Sequence, residues 1–120
     1  MLVDTSVWIQ HFRMGEPRLA RLLREGQPVC HPFIIGELAC GHLKHRQEIL
    51  SRLGHLSQLP EAGHNEVFMF VESQSLMGCG IGWIDAHLLA SAMIAAVPIW
   101  TLDKKLVACA RRIGIFNEPI

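Results

Sequence analysis

Neither sign of charge is in excess in this chain. Lys plus Arg and Asp plus Glu each number 11, so the formal net charge at pH 7 is zero. No whole-molecule field draws it to nucleic acid, and any such contact needs a local patch. Charge is also sparse, 18% of 120 residues against 50% hydrophobic. That balance excludes disorder or a coiled coil as the main description. Cys30, Cys40, Cys79 and Cys109 stand far apart, with no CxxC and no Cys/His zinc spacing. With no secretory signal, they read as buried free thiols in a reducing cytoplasm. No apolar run is long enough to span a bilayer. The 17 residues between Asp85 and Asp103 lack Asp, Glu, Lys and Arg, but Pro98 interrupts them and His87 and Ser91 dilute them. They read as a buried helix followed by a buried strand, and no membrane contact is expected. Repeats, linkers and low-complexity tracts are missing too, so residues 1–120 read as one domain.

What is present is apolar. A mean hydropathy of +0.26 is high for 13.4 kDa, and a domain this small cannot hide every apolar side chain. An apolar surface covered by a partner or a second copy is expected. Short apolar runs at Leu2-Val3, Pro28 to His31, Leu56 to Leu59, Pro98 to Thr101 and Ile115-Phe116 read as strands. Between them, helices are predicted after Thr5-Ser6, from Pro17 to Gly26, from Pro32 to Leu43, from Arg46 to Leu53, from His64 to Leu76, from Ala86 to Ala96 and from Lys104 to Arg112. Met77 to Trp83, with Gly78, Gly80 and Gly82, reads as a loop bordering the site. It follows a helix rather than a strand, so it is not a dinucleotide fingerprint. Strands alternating with helices give an α/β domain with a mostly parallel sheet between helical layers. In such sheets, ligands sit beyond the carboxyl ends of the strands.

Three of the acids fall at that edge. Asp4 ends the first strand, Asp103 follows the strand at Ile99–Thr101, and Asp85 opens the helix Ala86–Ala96. The plain reading of each is a helix cap, a role compatible with chemistry because a helix N-terminus also steadies a carboxylate. Glu37 lies in Phe33-Ile34-Ile35-Gly36-Glu37-Leu38-Ala39-Cys40-Gly41, a stretch with little polar surface and no basic partner on its own helix. A buried carboxylate there needs a distant Arg or Lys, or a cation. Two unit charges about 4 Å apart repel by roughly 4 kcal/mol at an effective dielectric of about 20. A divalent ion removes that cost, and all-oxygen ligands suit Mg²⁺ or Mn²⁺ rather than zinc. Outside the four acids the charge is 11 minus 7, or +4, which fits an acidic metal site in a body that receives a phosphodiester backbone.

Val3-Asp4-Thr5-Ser6-Val7-Trp8, Ile35-Gly36-Glu37-Leu38, Gly82-Trp83-Ile84-Asp85-Ala86-His87-Leu88-Leu89-Ala90-Ser91-Ala92 and Trp100-Thr101-Leu102-Asp103 together resemble the PIN-domain ribonucleases. Within them the likeness is to the VapC toxins of bacterial type II toxin–antitoxin pairs. It runs over almost the whole chain and rests on an ordered set of four acids at spacings 33, 48 and 18. The resemblance implies a three-layer α/β/α fold, metal-dependent endoribonuclease activity leaving 5′-phosphate and 3′-hydroxyl ends, a cognate antitoxin and a homodimer. Carried over residue by residue, it makes Asp4, Glu37, Asp85 and Asp103 the catalytic and metal-holding quartet. Thr5, Ser6 and Thr101 become hydroxyls supporting those carboxylates. A housekeeping or structure-specific nuclease of the same fold and a non-catalytic binding module are the competing readings. A receiver or haloacid-type site would need a second Asp beside Asp4 or two residues on, where Thr5, Ser6 and Val7 stand.

Other features are read more plainly. His42-x-x-His45 spans one helical turn without further ligands, so it is not a zinc site. His87 is read as core or as a support for the site. Trp8, Trp83 and Trp100 are read as core or interface. Arg18, Arg21 and Arg24 read as a charged helical face, whereas Lys104 and Lys105, beside Asp103, are the better candidates for RNA phosphates.

Overall fold

The first strand is two residues long, and both are completely buried. In the computed structural model, which describes residues 1–120, β1 (Leu2–Val3) is flanked by β2 (Val29–Cys30) and β4 (Ile99–Trp100), with β3 (Ser57–Gln58) beyond β2. The order β3-β2-β1-β4 is parallel throughout, in register Leu2 with Val29 and Leu2 with Ile99. Parallel strands need crossovers, and helices supply them: α1 (Thr5–Met14) and α2 (Pro17–Arg24), then α3 (Pro32–Ala39) and α4 (Arg46–Gly54), then α5 (His64–Ser73) and α6 (Trp83–Ala95), with α7 (Lys104–Arg112) after β4. Right-handed crossovers put the helices between β1 and β3 on one face of the sheet and those leading to β4 on the other. In keeping with this, α3 packs on α1 and α4, and α5 on α6. The chain walks from β1 out to β3 and then returns past β1 to β4. The reversal between β1 and β4 is the switch point where such sheets open a crevice.

The core is built around Leu2, Val3, Ile34, Leu88, Leu89, Ile99 and Trp100, none measurably exposed. Helix α6 runs through the middle. Seven successive residues, Ala86 to Ala92, are buried, and the small side chains Ala86, Ala90, Ser91 and Ala92 let neighbours approach it from all round. No helix is long and apolar enough to cross a membrane.

Several local expectations give way to tertiary structure. Helix α3 stops at Ala39 rather than Leu43, so His42 and His45 lie in a loop and do not share a helical turn. Helix α5 ends at Ser73, before Leu76, and leaves Phe68 54% exposed. Helix α6 starts at Trp83, which makes Asp85 a first-turn residue behind the N-cap Gly82 rather than the residue that opens the helix. Trp8 and Trp100 are core, but Trp83 is exposed. The last strand shrinks to one bridge between Ile99 and Phe116. Of the cysteines only Cys30 and Cys109 are buried; Cys40 is exposed and Cys79 intermediate. The arginine face of α2 is only partly solvated. Arg18 pairs with the little-exposed Glu16 at 2.9 Å and with Glu118 at 3.0 Å, and lies over the Trp100 ring. Its hydrogen bond, more than any other influence, holds the Glu16 carboxyl below its ordinary pKa. Arg18 therefore ties the C-terminal segment to the core.

Candidate active site

At the end of β1 the backbone turns at Asp4, which caps α1 from an extended conformation. Asp4 is only 5% exposed, so its carboxylate needs donors. Both strong ones arrive at Oδ2: Ser6 Oγ at 2.7 Å and Thr101 Oγ1 at 2.7 Å. Each hydroxyl has one proton and gives it to Asp4, which leaves both oxygens free to accept. Ser6 Oγ accepts Leu102 N–H at 3.0 Å, and Thr101 Oγ1 accepts Asp103 N–H at 3.1 Å. The 3.2 Å approach of Ser6 Oγ to Thr101 Oγ1 is then a contact between two acceptors, held by the bonds on either side. This hydroxyl clamp fixes the turn after β4 against the turn after β1. It also leaves Asp4 Oδ1 with no protein donor.

Asp103 caps α7, its Oδ1 accepting from Lys105 N at 2.9 Å and Leu106 N at 3.1 Å. Its second oxygen is unused. Glu37 sits in the last turn of α3. It is exposed at the rim, not buried as the surrounding apolar residues suggest, because the short helix turns that side toward the crevice. Thr5 Oγ1 donates to Glu37 Oε1 at 2.9 Å, leaving Oε2 free. Lys104 and Lys105 are exposed on the first turn of α7, and the stem of Lys105 lies against Gly80. A Cβ at Gly80 would stand 2.8 Å from Lys105 Cδ, a clash the flexible lysine stem can relieve, so it is the positive φ of +81° that favours glycine here.

Asp85 lies within electrostatic reach of the other three acids. Its carboxyl is pushed up to about 6, first by burial, then by the charges of Asp4, Glu37 and Asp103. Glu37 is raised too, first by the partial desolvation of its carboxyl at the rim, with Thr5 opposing and Asp4 adding. No Lys or Arg forms an ion pair with any of the four. No three His, Cys, Asp or Glu side chains close tightly enough to enclose an ion by themselves. The crevice is thus acidic, uncompensated and open.

One positioning residue is not apparent from the sequence. His31 is fully buried and caps α3, its Nδ1 accepting Phe33 N–H at 3.0 Å. Burial lowers its pKa, so the ring is neutral, and with Nδ1 accepting, the proton sits on Nε2. That proton goes to Ser91 Oγ at 3.0 Å. His31 thereby locks the helix of Glu37 to the helix of Asp85. The dipeptide His-Pro at a helix start is the available signal, but its partner lies 60 residues away.

No family model matches the chain. Ribonuclease VapC32 of Mycobacterium tuberculosis, from strain CDC 1551 / Oshkosh and from strain ATCC 25618 / H37Rv alike, is 43% identical over 116 residues. The match covers 96% of this chain and 94% of that protein. The chain belongs to the VapC ribonuclease family. Its VapC fold is also that of a more distant protein. The crystal structure of PAE2754 from Pyrobaculum aerophilum matches with a TM-score of 0.61 over 90% of this chain and 77% of that one, at 16% identity. At that distance the likeness establishes the PIN-like α/β architecture alone.

Proposed function

We propose that this VapC protein is a metal-dependent endoribonuclease, the toxin of a bacterial type II toxin–antitoxin pair, and that Asp4, Glu37, Asp85 and Asp103 carry the reaction. The observation that supports this most is the buried Asp4, whose Oδ2 takes both clamping hydroxyls while Oδ1 has no protein donor, among four acids none of which has a Lys or Arg partner. Oxygen-only donors that repel one another suit Mg²⁺ or Mn²⁺. The open spacing suits an ion that keeps part of its water shell, as Mg²⁺ does. Asp4 through Oδ1, Asp85 and Asp103 would hold the ion. Bound there, it supplies Lewis acidity toward a phosphoryl oxygen and eases the ionisation of water.

The chain's own residues do the positioning. Ser6 and Thr101 fix Asp4 through one oxygen and so aim the other. Thr5 fixes Glu37 through Oε1, and Glu37 Oε2 orients the water that attacks in line and takes up its proton. As the P–O3′ bond breaks, the leaving 3′-oxygen takes a proton from a solvent water and departs as a hydroxyl, and the 5′ side keeps the phosphate. No nucleophilic side chain is needed. Lys104 and Lys105, exposed beside Asp103, meet the incoming backbone. The antitoxin would silence the site by presenting a Lys or Arg to the four acids. A second copy of the chain would cover the exposed apolar side chains of α5 and α6, where the Phe68 and Trp83 rings meet at a tilt with centroids 5.3 Å apart and Met69 is also exposed.

The test is cleavage of cellular RNA by the purified protein freed of antitoxin. Cutting should need Mg²⁺ or Mn²⁺, stop with EDTA and leave ends that a 5′-phosphate-dependent exonuclease degrades. The active species should elute at the mass of two chains. EDTA-resistant cutting, or no cutting with either ion, overturns the proposal.

A pH dependence follows from Asp85. Its carboxyl titrates higher in the folded state than the ordinary 3.8, so the folded protein binds the proton more tightly than the unfolded chain. Stability from this group is present at low pH and is lost as pH rises through about 4 to about 6. Without divalent ions, the melting temperature should fall across that window. At pH 7, Mn²⁺ at a hundredfold excess over its Kd should add about 2.7 kcal/mol, roughly 10 °C for a domain of this size. At pH 4.5 it should add little. Thermal melts with and without Mn²⁺ check both halves. A melting temperature flat across the window removes the basis for the acid crevice.

A further inference from the structure

The crevice does not end at Glu37. A groove of about 560 Å³ runs from this carboxylate between α1 and the loop joining α3 to α4. Its floor is apolar, made by Ile9, Phe12 and Leu38, and its rim carries Arg13, His42, Lys44 and His45. None of these four side chains makes a hydrogen bond or ion pair within the chain. Glu37, at one end, is the only acid in the lining.

The loop that supplies the rim is firmly held. Helix α3 ends early, and Arg46 at the start of α4 donates to the last-turn carbonyl of Ala39 at 2.9 Å. That bond closes the loop on itself. His45 sits in the left-handed region at φ 54°, which turns the chain sharply into α4. Three cationic or titratable side chains are thus placed opposite Arg13 of α1 by a short, closed segment.

We infer that this groove is the seat of the single-stranded RNA segment next to the scissile phosphate, with a base on the Phe12 floor and flanking phosphates on Arg13 and Lys44. Two features favour this occupant. The rim is cationic where the rest of the site is acidic, as a polyanion that must approach four carboxylates requires. An apolar floor bearing an aromatic ring accepts an unstacked base, which is how proteins read single-stranded RNA, whereas duplex RNA offers backbone and 2′-hydroxyls over a wide surface. The inference rests on the ribonuclease reading above and extends it from where RNA is cut to where it is held.

The test measures binding apart from cutting. In Asp4→Asn protein, anisotropy with a fluorescein-labelled 12-nucleotide oligouridylate is followed from 50 to 300 mM salt. Removing two phosphate contacts by Arg13→Ala and Lys44→Ala should lower the slope of log affinity against log salt by about 1.4, at about 0.7 per phosphate for single strands. Arg111→Ala, on the far end of α7, should leave the slope unchanged. With Asp4 intact, the double variant should raise KM for RNA tenfold or more and keep kcat within about twofold. An unaltered slope in the double variant, equal loss in Arg111→Ala, or loss only of antitoxin binding overturns the groove assignment. Because both substituted side chains are exposed and unpaired, circular dichroism should show the parent fold. Failure of the unsubstituted protein to cut RNA with Mn²⁺ instead overturns the ribonuclease reading, whatever the slopes.

Discussion

Asp4→Asn protein should fold as the parent does and cut RNA at less than about one-hundredth of its rate, a loss of roughly 2.7 kcal/mol in transition-state stabilisation. The substitution separates structure from chemistry. Asparagine caps helices as well as aspartate does, so α1 keeps its start. Its amide oxygen still accepts from Ser6 and Thr101, and the clamp that joins the two strand ends survives. The change falls on the other atom. Oδ1, which no protein group donates to, is replaced by an NH₂ that donates and carries no charge, and an NH₂ cannot hold a cation. Removing the charge also relieves Asp85, which Asp4 repels more than any other acid does, so the cation-free variant should melt no lower than the parent at pH 7. Initial cleavage rates with Mn²⁺, read beside thermal melts, check both expectations. A parental rate in a folded variant means that Asp4 is not part of the chemistry.

Trp100→Ala should cost about 3–5 kcal/mol of folding stability, a large part of the roughly 5–15 kcal/mol that holds a typical domain. Trp100 is fully buried on β4, pairs in register with Val3, and lies under the Arg18 guanidinium at 5.0 Å. Its indole N–H has no partner, so the side chain stabilises by packing and the cation–π contact, not by a hydrogen bond. Truncation leaves a cavity in the core and takes from Arg18 the surface it rests on. Urea denaturation measures the loss, and Trp100→Phe should recover more than half of it. A cost below about 1 kcal/mol would mean that β4 is not part of the folding core.

Sequence patterning discloses the architecture because the strands and helices differ so sharply in what they bury. Leu2-Val3 and Ile99-Trp100 are short, wholly apolar and followed at once by a capping acid, a combination with few other readings. Helix α7 is found from Lys104 to Arg112 as expected, since Asp103 caps it and arginines close it. The ends of α3 and α5 are less legible. Nothing in Pro32 to Leu43 forbids a helix beyond Ala39 except Gly41, and the carbonyl left free at Ala39 is taken by Arg46, seven residues on, a partner the local pattern does not indicate. Arg18 is misread for the same reason. At i, i+3 and i+6 with Arg21 and Arg24 it looks solvated, but besides the neighbouring Glu16 its partners are Glu118, a hundred residues on, and Trp100. The quartet of acids stands out because each sits at an element boundary or in an apolar stretch. The groove beyond it does not, because its rim comes from two helices and a loop whose approach only the fold defines.

The hydroxyl clamp has a consequence for timing. Asp4 and Thr101, which orients it, stand 97 residues apart in the chain, so Asp4 is made well before the hydroxyl that fixes it. Until the final strand slides in beside the first, the acids made earlier have no common orientation. The same order holds whenever the chain refolds: Asp4 gains its fixed orientation only after β4 docks beside β1 and brings Thr101 to it.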